Sequence, residues 1–557
     1  MTVKDMTSRP DLYRFGRGTG AMRTMRPVYL DFLPPCNDAC PAGEDIQGWL
    51  ALAQAGQYEA AWQKLIENNP LPSIHGRVCY HPCETACNRT HTDSAVSIHA
   101  VERFLGDEAL KNGWKPRYNP RPGGKRVLVI GAGPSGLSAA YHLTRLGHTV
   151  EIHEAGPVAG GMIHFGIPAY RMPREELQAE IQRIEDMGVK IVLNHKVEDV
   201  LGEKEAGNFD AVFVAVGAHI SRNIDIPARD AGIMMDAVSF LRSVKTGEPP
   251  KLGRRVAIYG GGNTAMDAAR TAKRLGAEEA MIIYRRDRAN MPAHDFEAEE
   301  ALEEGVKIKW LSTIKEIDQN CLQVEVMELD ENNRPRPTGK IETLEADALI
   351  MAVGQDTDTG FLGRVPGIQF KSNGTVIVDE KMMTGHEGIF AGGDMVPSER
   401  SVTIAVGHGK KAARHIDAWL RGETYNKARK HPIVTHDKLR LWYRTYAPQQ
   451  EQGRLPLDQR STGFEEIMLG LSEAEAVFEA RRCLSCGNCF ECDGCFGSCP
   501  EGAVIKLGPG KRYRYDYEKC TGCAVCCEQC PCHAIEMVPE PGFEKAEEQD
   551  PPSMHGS

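Results

Sequence analysis

Residues 125–155 read KRVLVIGAGPSGLSAAYHLTRLGHTVEIHEA, and the succession of residue types in them decides the fold. An apolar run ending at Ile130 gives way to Gly131, Gly133 and Gly136, then to a helical pattern, then to a second apolar segment that stops at Glu154. Strand, tight turn, helix and strand in that order make a βαβ unit. Gly131 permits the turn, Gly133 lets a pyrophosphate approach the backbone, and Gly136 lets helix and strand pack closely, with Pro134 and Ser135 opening the helix under the ligand. Glu154 stands where a carboxylate accepts hydrogen bonds from a ribose.

The pattern returns at residues 254–286, RRVAIYGGGNTAMDAARTAKRLGAEEAMIIYRR. Gly260, Gly262 and Ala265, with Asn263 and Thr264 between them, form the G-x-G-x-x-A variant that suits a nicotinamide nucleotide. Arg285 and Arg286 occupy the strand end where an acid would hold a 2′-hydroxyl, and guanidinium forks there match a 2′-phosphate, so NADPH is favoured over NADH. A solvated arginine pair is the plain alternative. The first unit is read as an FAD site because Gly160-Gly161 follows its acid. In addition, Gly393-Asp394 closes a later apolar segment, EGIFAGGDM (387–395), just before the helical SVTIAVGHGKKAARHI, whose Thr403 is read as a further flavin-binding residue. An Asp so placed in two-dinucleotide flavoproteins holds the ribityl chain; otherwise it marks an ordinary turn. DAVFVAVGAH and ADALIMAVGQ end alike in Ala-Val-Gly, at Gly217 and Gly354, and are read as crossings between domains.

Around these units lies a chain of 557 residues, long enough for three or four domains. The whole is multidomain α/β. Residues 1–115 read as an α-helical iron–sulfur domain, 116–252 with 376–425 as the FAD-binding Rossmann-like domain, and 253–375 as the NAD(P)-binding one. Residues 426–480 read as a connector, 481–540 as a ferredoxin-like α+β domain and 541–557 as an acidic tail. In the first of these, Ile46, Trp49, Leu50, Trp62, Leu65 and Ile66 are spaced for amphipathic helices. No apolar run approaches the roughly 20 residues that span a bilayer, and the N-terminus lacks a secretory core, so a cytoplasmic location is expected. A net charge of −11 argues against a nucleic-acid partner.

The 18 cysteines are clustered rather than spread as a disulfide framework would be. Cys489, Cys492, Cys495 and Cys499-Pro500 fit C-x2-C-x2-C-x3-C-P, as do Cys520, Cys523, Cys526 and Cys530-Pro531. In this two-cluster ferredoxin pattern three close thiolates hold one [4Fe–4S] cluster and the fourth serves the other. The sets are then Cys489, Cys492, Cys495 with Cys530, and Cys520, Cys523, Cys526 with Cys499; Cys527 and Cys532 are surplus. Zinc would draw its cysteines in separated pairs. Near the N-terminus, Cys40, Cys79, Cys83 and Cys87, three of them in GRVCYHPCETACNR (76–89), make a further set, for which zinc stays open on spacing alone.

Taken together, GRVC-x3-CE-x2-C, GAGPSGL, GGMIHFGIPAYRMP and GGGNTAMDAARTAKRLGA followed by YRR resemble the glutamate synthase small-subunit family over residues 30–425. That family includes the N-terminal part of dihydropyrimidine dehydrogenase and the large subunit of an NADPH:ferredoxin transhydrogenase. Relatives with an appended two-cluster ferredoxin serve as electron-transfer subunits of larger enzymes, including 2-oxoacid:acceptor oxidoreductases. The family opens with Arg-Cys-x2-Cys ahead of the position of Cys36, and this chain has no cysteine there. Arg482-Cys483-Leu484-Ser485-Cys486 reproduces the missing piece near the other end. The expectation is that this segment folds back so that Cys483 and Cys486 join Cys36, with Glu102 as a fourth ligand. Against it stands the reading of both cysteines as spare thiols of the ferredoxin domain.

The resemblance implies an FAD-dependent NAD(P)H oxidoreductase with three or four [4Fe–4S] clusters. It would pass electrons to or from a partner catalytic subunit or a ferredoxin, with no side-chain acid or base needed for hydride transfer. The alternatives are a true glutamate synthase small subunit and a cluster-bearing scaffold without turnover. A dithiol reductase would need a C-x-x-C beside the flavin, and the residues around Asp267 contain none.

Overall fold

The computed structural model describes residues 23–222, 226–229, 233–442 and 444–541, so the polar N-terminus and nearly all of the acidic tail fall outside the described residues. At its centre is the strand Arg126–Ile130, whose residues beyond Arg126 are all buried. It lies in the middle of a five-stranded parallel sheet ordered Ile389–Ala391, Ala211–Val214, Arg126–Ile130, Thr149–His153, Lys190–Val192. Strands covered on both faces must be apolar throughout, which is why these read as runs rather than alternations. Val127, Leu128, Val129, Phe213 and Phe390 are fully buried there. Truncating Phe213 or Phe390 to Ala would cost about 3–5 kcal/mol.

A second parallel sheet is ordered Lys307–Lys309, Glu279–Ile283, Arg255–Tyr259, Ala348–Met351, Ile233–Asp236. The chain passes between the two sheets twice, at the segments marked by Gly217 and Gly354. The crossings pair with each other, Ile220–Ser221 against Gln355–Asp356. This placement shifts the expected boundary at 252. Ile233–Asp236 and the helix Ala237–Lys245 already belong with the nicotinamide-side sheet, because Met235 pairs with Ile350 at its edge.

The N-terminal unit is helical, as its periodicity requires. Trp49, Trp62 and Leu65 have no exposed surface, and Ile46 and Leu50 almost none. Its core also takes in Ala480, from the helix Glu473–Arg482 within the expected connector. That connector is therefore a clasp. It returns along the helical unit through Glu466, which pairs with Arg77 and Arg103, and through the Arg103 guanidinium, which donates to the Met468 carbonyl.

The ferredoxin-like end differs from the expected boundaries as well. Its strand Ile535–Pro539 pairs antiparallel with Met25–Tyr29, from the far end of the chain, with Tyr29 opposite Ile535. Residues 25–29 thus belong with 481–540 rather than with the helical unit. Among the described residues no helix is long and apolar enough to cross a membrane.

Candidate functional site

A cavity of about 1100 Å³ runs between the two sheets and is lined by both glycine loops. A pocket for one drug-sized ligand spans about 300–1,000 Å³, so there is room here for more than one such ligand. Gly131, Gly133, Pro134, Ser135, Glu154 and Gly161 line one end, and Gly260, Gly262, Asn263, Thr264, Arg285 and Arg286 the other. Gly393 and Asp394 line it too.

The backbone at the first loop fits a dinucleotide. Gly131 has φ +104°, and a Cβ there would meet the Ala215 carbonyl. Gly161 has φ +54° and a Cβ would stand 2.8 Å from Gly133 Cα, so any side chain would fill the space over the loop. Ser135 Oγ is buried and finds no hydrogen-bond partner among the described residues. Glu154 steadies the loop itself: Oε2 accepts from the Ala132 N–H at 2.8 Å and Oε1 from the Gly156 N–H at 2.7 Å. Each oxygen keeps a lone pair for a ribose hydroxyl. Burial pushes the Asp394 carboxyl up to about 6. Gly136 and Ala265 stay out of the cavity, packing helix on strand, and a Cβ at Gly136 would strike the Gly131 carbonyl.

At the other end, neither Arg285 nor Arg286 forms an ion pair among the described residues, and Arg286 Nε is buried without a hydrogen bond. Arg285 is exposed and Arg286 lies beside the Tyr284 hydroxyl, and guanidinium groups so placed at a strand end suit a phosphate. The GIPAYRMP motif ties the two ends together. Arg171 reaches across to Asp267 at 2.9 Å and Glu297 at 2.5 Å, while the buried Tyr170 ring lies under Arg274 at 3.8 Å.

Thr403 is placed differently from its sequence reading. The helix Val402–Leu420 begins at the cavity, which Ser401, Val402 and Ala405 line. Thr403 lies about 100° further round the helix and faces the N-terminal unit. There its hydroxyl donates to Cys79 Sγ at 3.0 Å.

Cys36, Cys40, Cys83 and Cys87 pack together with Cys483 of the returning segment. Cys36 is under the electrostatic influence of Cys87, Cys483 and Cys486, and Cys486 in turn of Cys483 and Cys87. Cys40 feels Glu44, Glu102 and Cys79, Cys79 feels Glu102 and Glu44, and Cys83 feels Glu84, Cys79, Cys40 and Cys36. Cys87 thus acts on Cys36, Cys483 and Cys486, and Glu102 on Cys40 and Cys79. The short helix Pro82–Thr85 stops at Ala86, and Cys87 follows it extended at φ −66°, ψ 123°. Glu102 is buried on the helix Ile98–Asn112, where Asn69 Nδ2 donates to it at 2.6 Å.

The returning segment is anchored by Arg482. Its guanidinium pairs with Asp93 at 3.1 Å and Glu479 at 2.8 Å, and it donates to the carbonyls of Ala95, Ser94 and Ala447. All three paired side chains are at most 2% exposed. Asn88 Nδ2 donates to Cys486 Sγ at 3.4 Å.

At the ferredoxin-like end, Cys489 feels Cys492, Cys495 feels both, and all three feel Cys530. Cys499, Cys520, Cys523 and Cys526 line one small cavity with Pro27 of the N-terminal strand. The Tyr29 hydroxyl lies 3.2 Å from Cys495 Sγ. Of the surplus pair, Cys532 Sγ is 3.8 Å from Cys530 Sγ. The chemistry of these donor sets fits metal clusters. Burial pushes the Cys36, Cys40 and Cys83 thiols well above their usual range and Cys79 and Cys486 up to about 12. A thiol so raised keeps its proton near neutral pH unless a cation replaces it.

Comparison with known proteins finds two family matches and a set of relatives. Residues 98–205 and 125–409 match the pyridine nucleotide-disulphide oxidoreductase family, and residues 31–114 match dihydropyrimidine dehydrogenase domain II, 4Fe-4S cluster. An NADP(+)-dependent formate dehydrogenase subunit beta from Moorella thermoacetica is 37% identical over 84% of this chain and 73% of its own length. An NADPH-Fe(3+) oxidoreductase subunit beta from Geobacter sulfurreducens is 35% identical over 82% of this chain and 75% of its own. The glutamate synthase [NADPH] small chain of Escherichia coli is 34% identical over 70% of this chain and 89% of its own. The chain belongs to the glutamate synthase small-chain-like family of FAD-dependent NAD(P)H oxidoreductases with [4Fe–4S] domains.

Proposed function

We propose that this chain is the nicotinamide-side subunit of a larger oxidoreductase, trading electron pairs with NADPH and single electrons with a partner's substrate site through four [4Fe–4S] clusters. FAD, when bound, exchanges hydride with the nucleotide and single electrons with iron–sulfur clusters. The residues of the chain supply the rest. The Gly131–Gly136 loop and Gly161 receive the pyrophosphate, Glu154 the ribose and Asp394 the ribityl chain. The loop at Gly260, with Asn263 and Thr264, receives the second nucleotide, and Arg285 and Arg286 its 2′-phosphate. Arg171, held by Asp267 and Glu297, keeps the two nucleotide domains in register.

The ligand sets that the geometry supports are Cys40, Cys79, Cys83 with Glu102; Cys36, Cys87, Cys483 with Cys486; Cys489, Cys492, Cys495 with Cys530; and Cys499, Cys520, Cys523 with Cys526. The observation that carries the proposal is the succession of these groups from the cavity outward. Thr403 links the cavity-facing helix to Cys79, and Cys83 feels Cys36 of the second group. The Gly487 N–H, next to Cys486, donates to the Cys532 carbonyl of the ferredoxin-like end.

The partner is a subunit with its own substrate site. The family resemblance favours a 2-oxoacid:acceptor oxidoreductase, and the beta-subunit relatives add formate dehydrogenase and ferric-iron reductase complexes as types of assembly to look for. Proteins that copurify with the chain identify it.

Iron counting tests the cluster assignment. Four [4Fe–4S] clusters hold about sixteen iron atoms. A Cys483→Ser/Cys486→Ser variant should lose about four, and adding Cys87→Ser should remove none further. A full count in the double variant overturns the second site, and a further loss on adding Cys87→Ser returns Cys87 to the Cys40 set. Flavin left unbleached by NADPH without oxygen overturns the oxidoreductase reading.

A further inference from the structure

We infer that Thr403 is a positioning residue for electron transfer: by donating its hydroxyl to Cys79 Sγ, it joins the helix start at the flavin cavity to the first cluster and eases that cluster's reduction. The inference rests on the proposed ligand set of Cys40, Cys79, Cys83 and Glu102.

The placement is over-determined. Ser401 caps the helix, its Oγ accepting from the Ile404 N–H at 3.1 Å, which fixes the phase of the residues that follow. Val402 and Ala405 are thereby turned to the cavity and Thr403 to the N-terminal unit, where it is 4% exposed. A threonine inside a helix commonly bonds back to the carbonyl three or four residues earlier. Here those residues, 399 and 400, precede the helix, which leaves the hydroxyl to be donated to sulfur. The same helix holds the other side of the site. Lys410 Nζ donates to the Ala42 carbonyl and, at 3.1 Å, to Asn68 Oδ1, bracing the turn after Cys40 and Pro41. Gly407 lies so close to the Pro41 carbonyl that a Cβ would strike it.

Cys79 Sγ accepts a second bond, from the His81 N–H at 3.3 Å. Hydrogen bonds to the sulfurs are among the levers that set a cluster's potential. When one electron arrives the cluster gains one unit of negative charge and no proton. A donor aimed at a ligand sulfur stabilises that charged form more than the oxidised one. The electron would come from the flavin that the cavity would hold, so no further oxidant or reductant is required. Val402 at the cavity is the immediate neighbour of Thr403, so the hydrogen bond closes a short bonded route from the cavity wall to the thiolate.

Thr403→Val removes the hydroxyl at nearly constant shape, and Thr403→Ser restores it. The full chain with its flavin and clusters is titrated anaerobically with dithionite under EPR, and cluster reduction is followed after a single addition of NADPH. Thr403→Val should lower the midpoint potential of one cluster and slow its reduction about tenfold, the size of one charge-assisted hydrogen bond, while Thr403→Ser matches the parent. If the Val variant does not fold, Thr403→Ala serves. Unchanged potential and rate with full iron and flavin overturn the inference. Loss of flavin without a shift in potential also overturns it, and assigns Thr403 to the flavin instead. A Cys79→Ser variant that retains all its iron overturns the underlying ligand set.

Discussion

Asp394 shows how burial turns one side chain into a measurable pH dependence. Its carboxyl lies in the cavity wall and is raised to about 6 by burial. A carboxyl whose folded value exceeds its unfolded one contributes stability that is full below the unfolded value, about 4, and is lost as pH rises through the folded one. The flavin-free protein should therefore lose thermal stability between about pH 4 and 6, and Asp394→Asn should flatten that portion of the melting-temperature profile. Arg285 and Arg286 make the second residue-scale prediction. A charge-assisted bond to phosphate is worth about 1.5–3 kcal/mol, so Arg285→Ala/Arg286→Ala should raise KM for NADPH about 10- to 100-fold or more and leave KM for NADH nearly unchanged. Equal loss with both nucleotides would assign the pair to another role.

Among the elements, the helix Glu473–Arg482 and the loop before Ser97 depend on each other. Arg482 is nearly inaccessible and holds two buried acids, Asp93 and Glu479. Removing one member of a buried ion pair leaves uncompensated charge, at a cost of about 3–5 kcal/mol. Arg482→Ala should therefore undock Cys483 and Cys486, with a loss of about four iron atoms and raised hydrogen exchange along residues 473–482. The same side chains explain why a stretch read as a connector is structural: its sequence lacks periodicity over most of its length because it follows another unit's surface. Its longest helix is Glu473–Arg482, which begins near its end, and the others within it, Leu457–Arg460 and His436–Lys438, are of four and three residues.

Across the whole molecule, the two chain ends are one unit. Met25–Tyr29 is the strand partner of Ile535–Pro539, and Arg23 adds an ion pair to Glu540 at 2.7 Å. A chain shortened by its first 30 residues should keep the flavin and nucleotide sites. It should lose protection from hydrogen exchange at residues 535–539 and lose iron from the Cys520 set, whose cavity Pro27 helps to wall. Retention of all the iron would show that the ferredoxin-like end is complete without that strand.

How much could be read from sequence follows the range of the interactions. Gly131–Gly136 and Gly260–Ala265, the helices around Trp49 and Trp62, and the two C-x2-C-x2-C runs are set by neighbours within a few residues, through backbone sterics, periodicity and thiol spacing. Each was legible from the chain alone. The return of Cys483 and Cys486 was legible too, because a piece of motif missing in one place stood in another. Tertiary structure alone decided the nearness of Cys87 to Cys483, the strand shared by residues 25–29 and 535–539 and the turning of Thr403 from cavity to thiol. These rest on contacts between residues more than 300 positions apart, which leave no period or spacing to read.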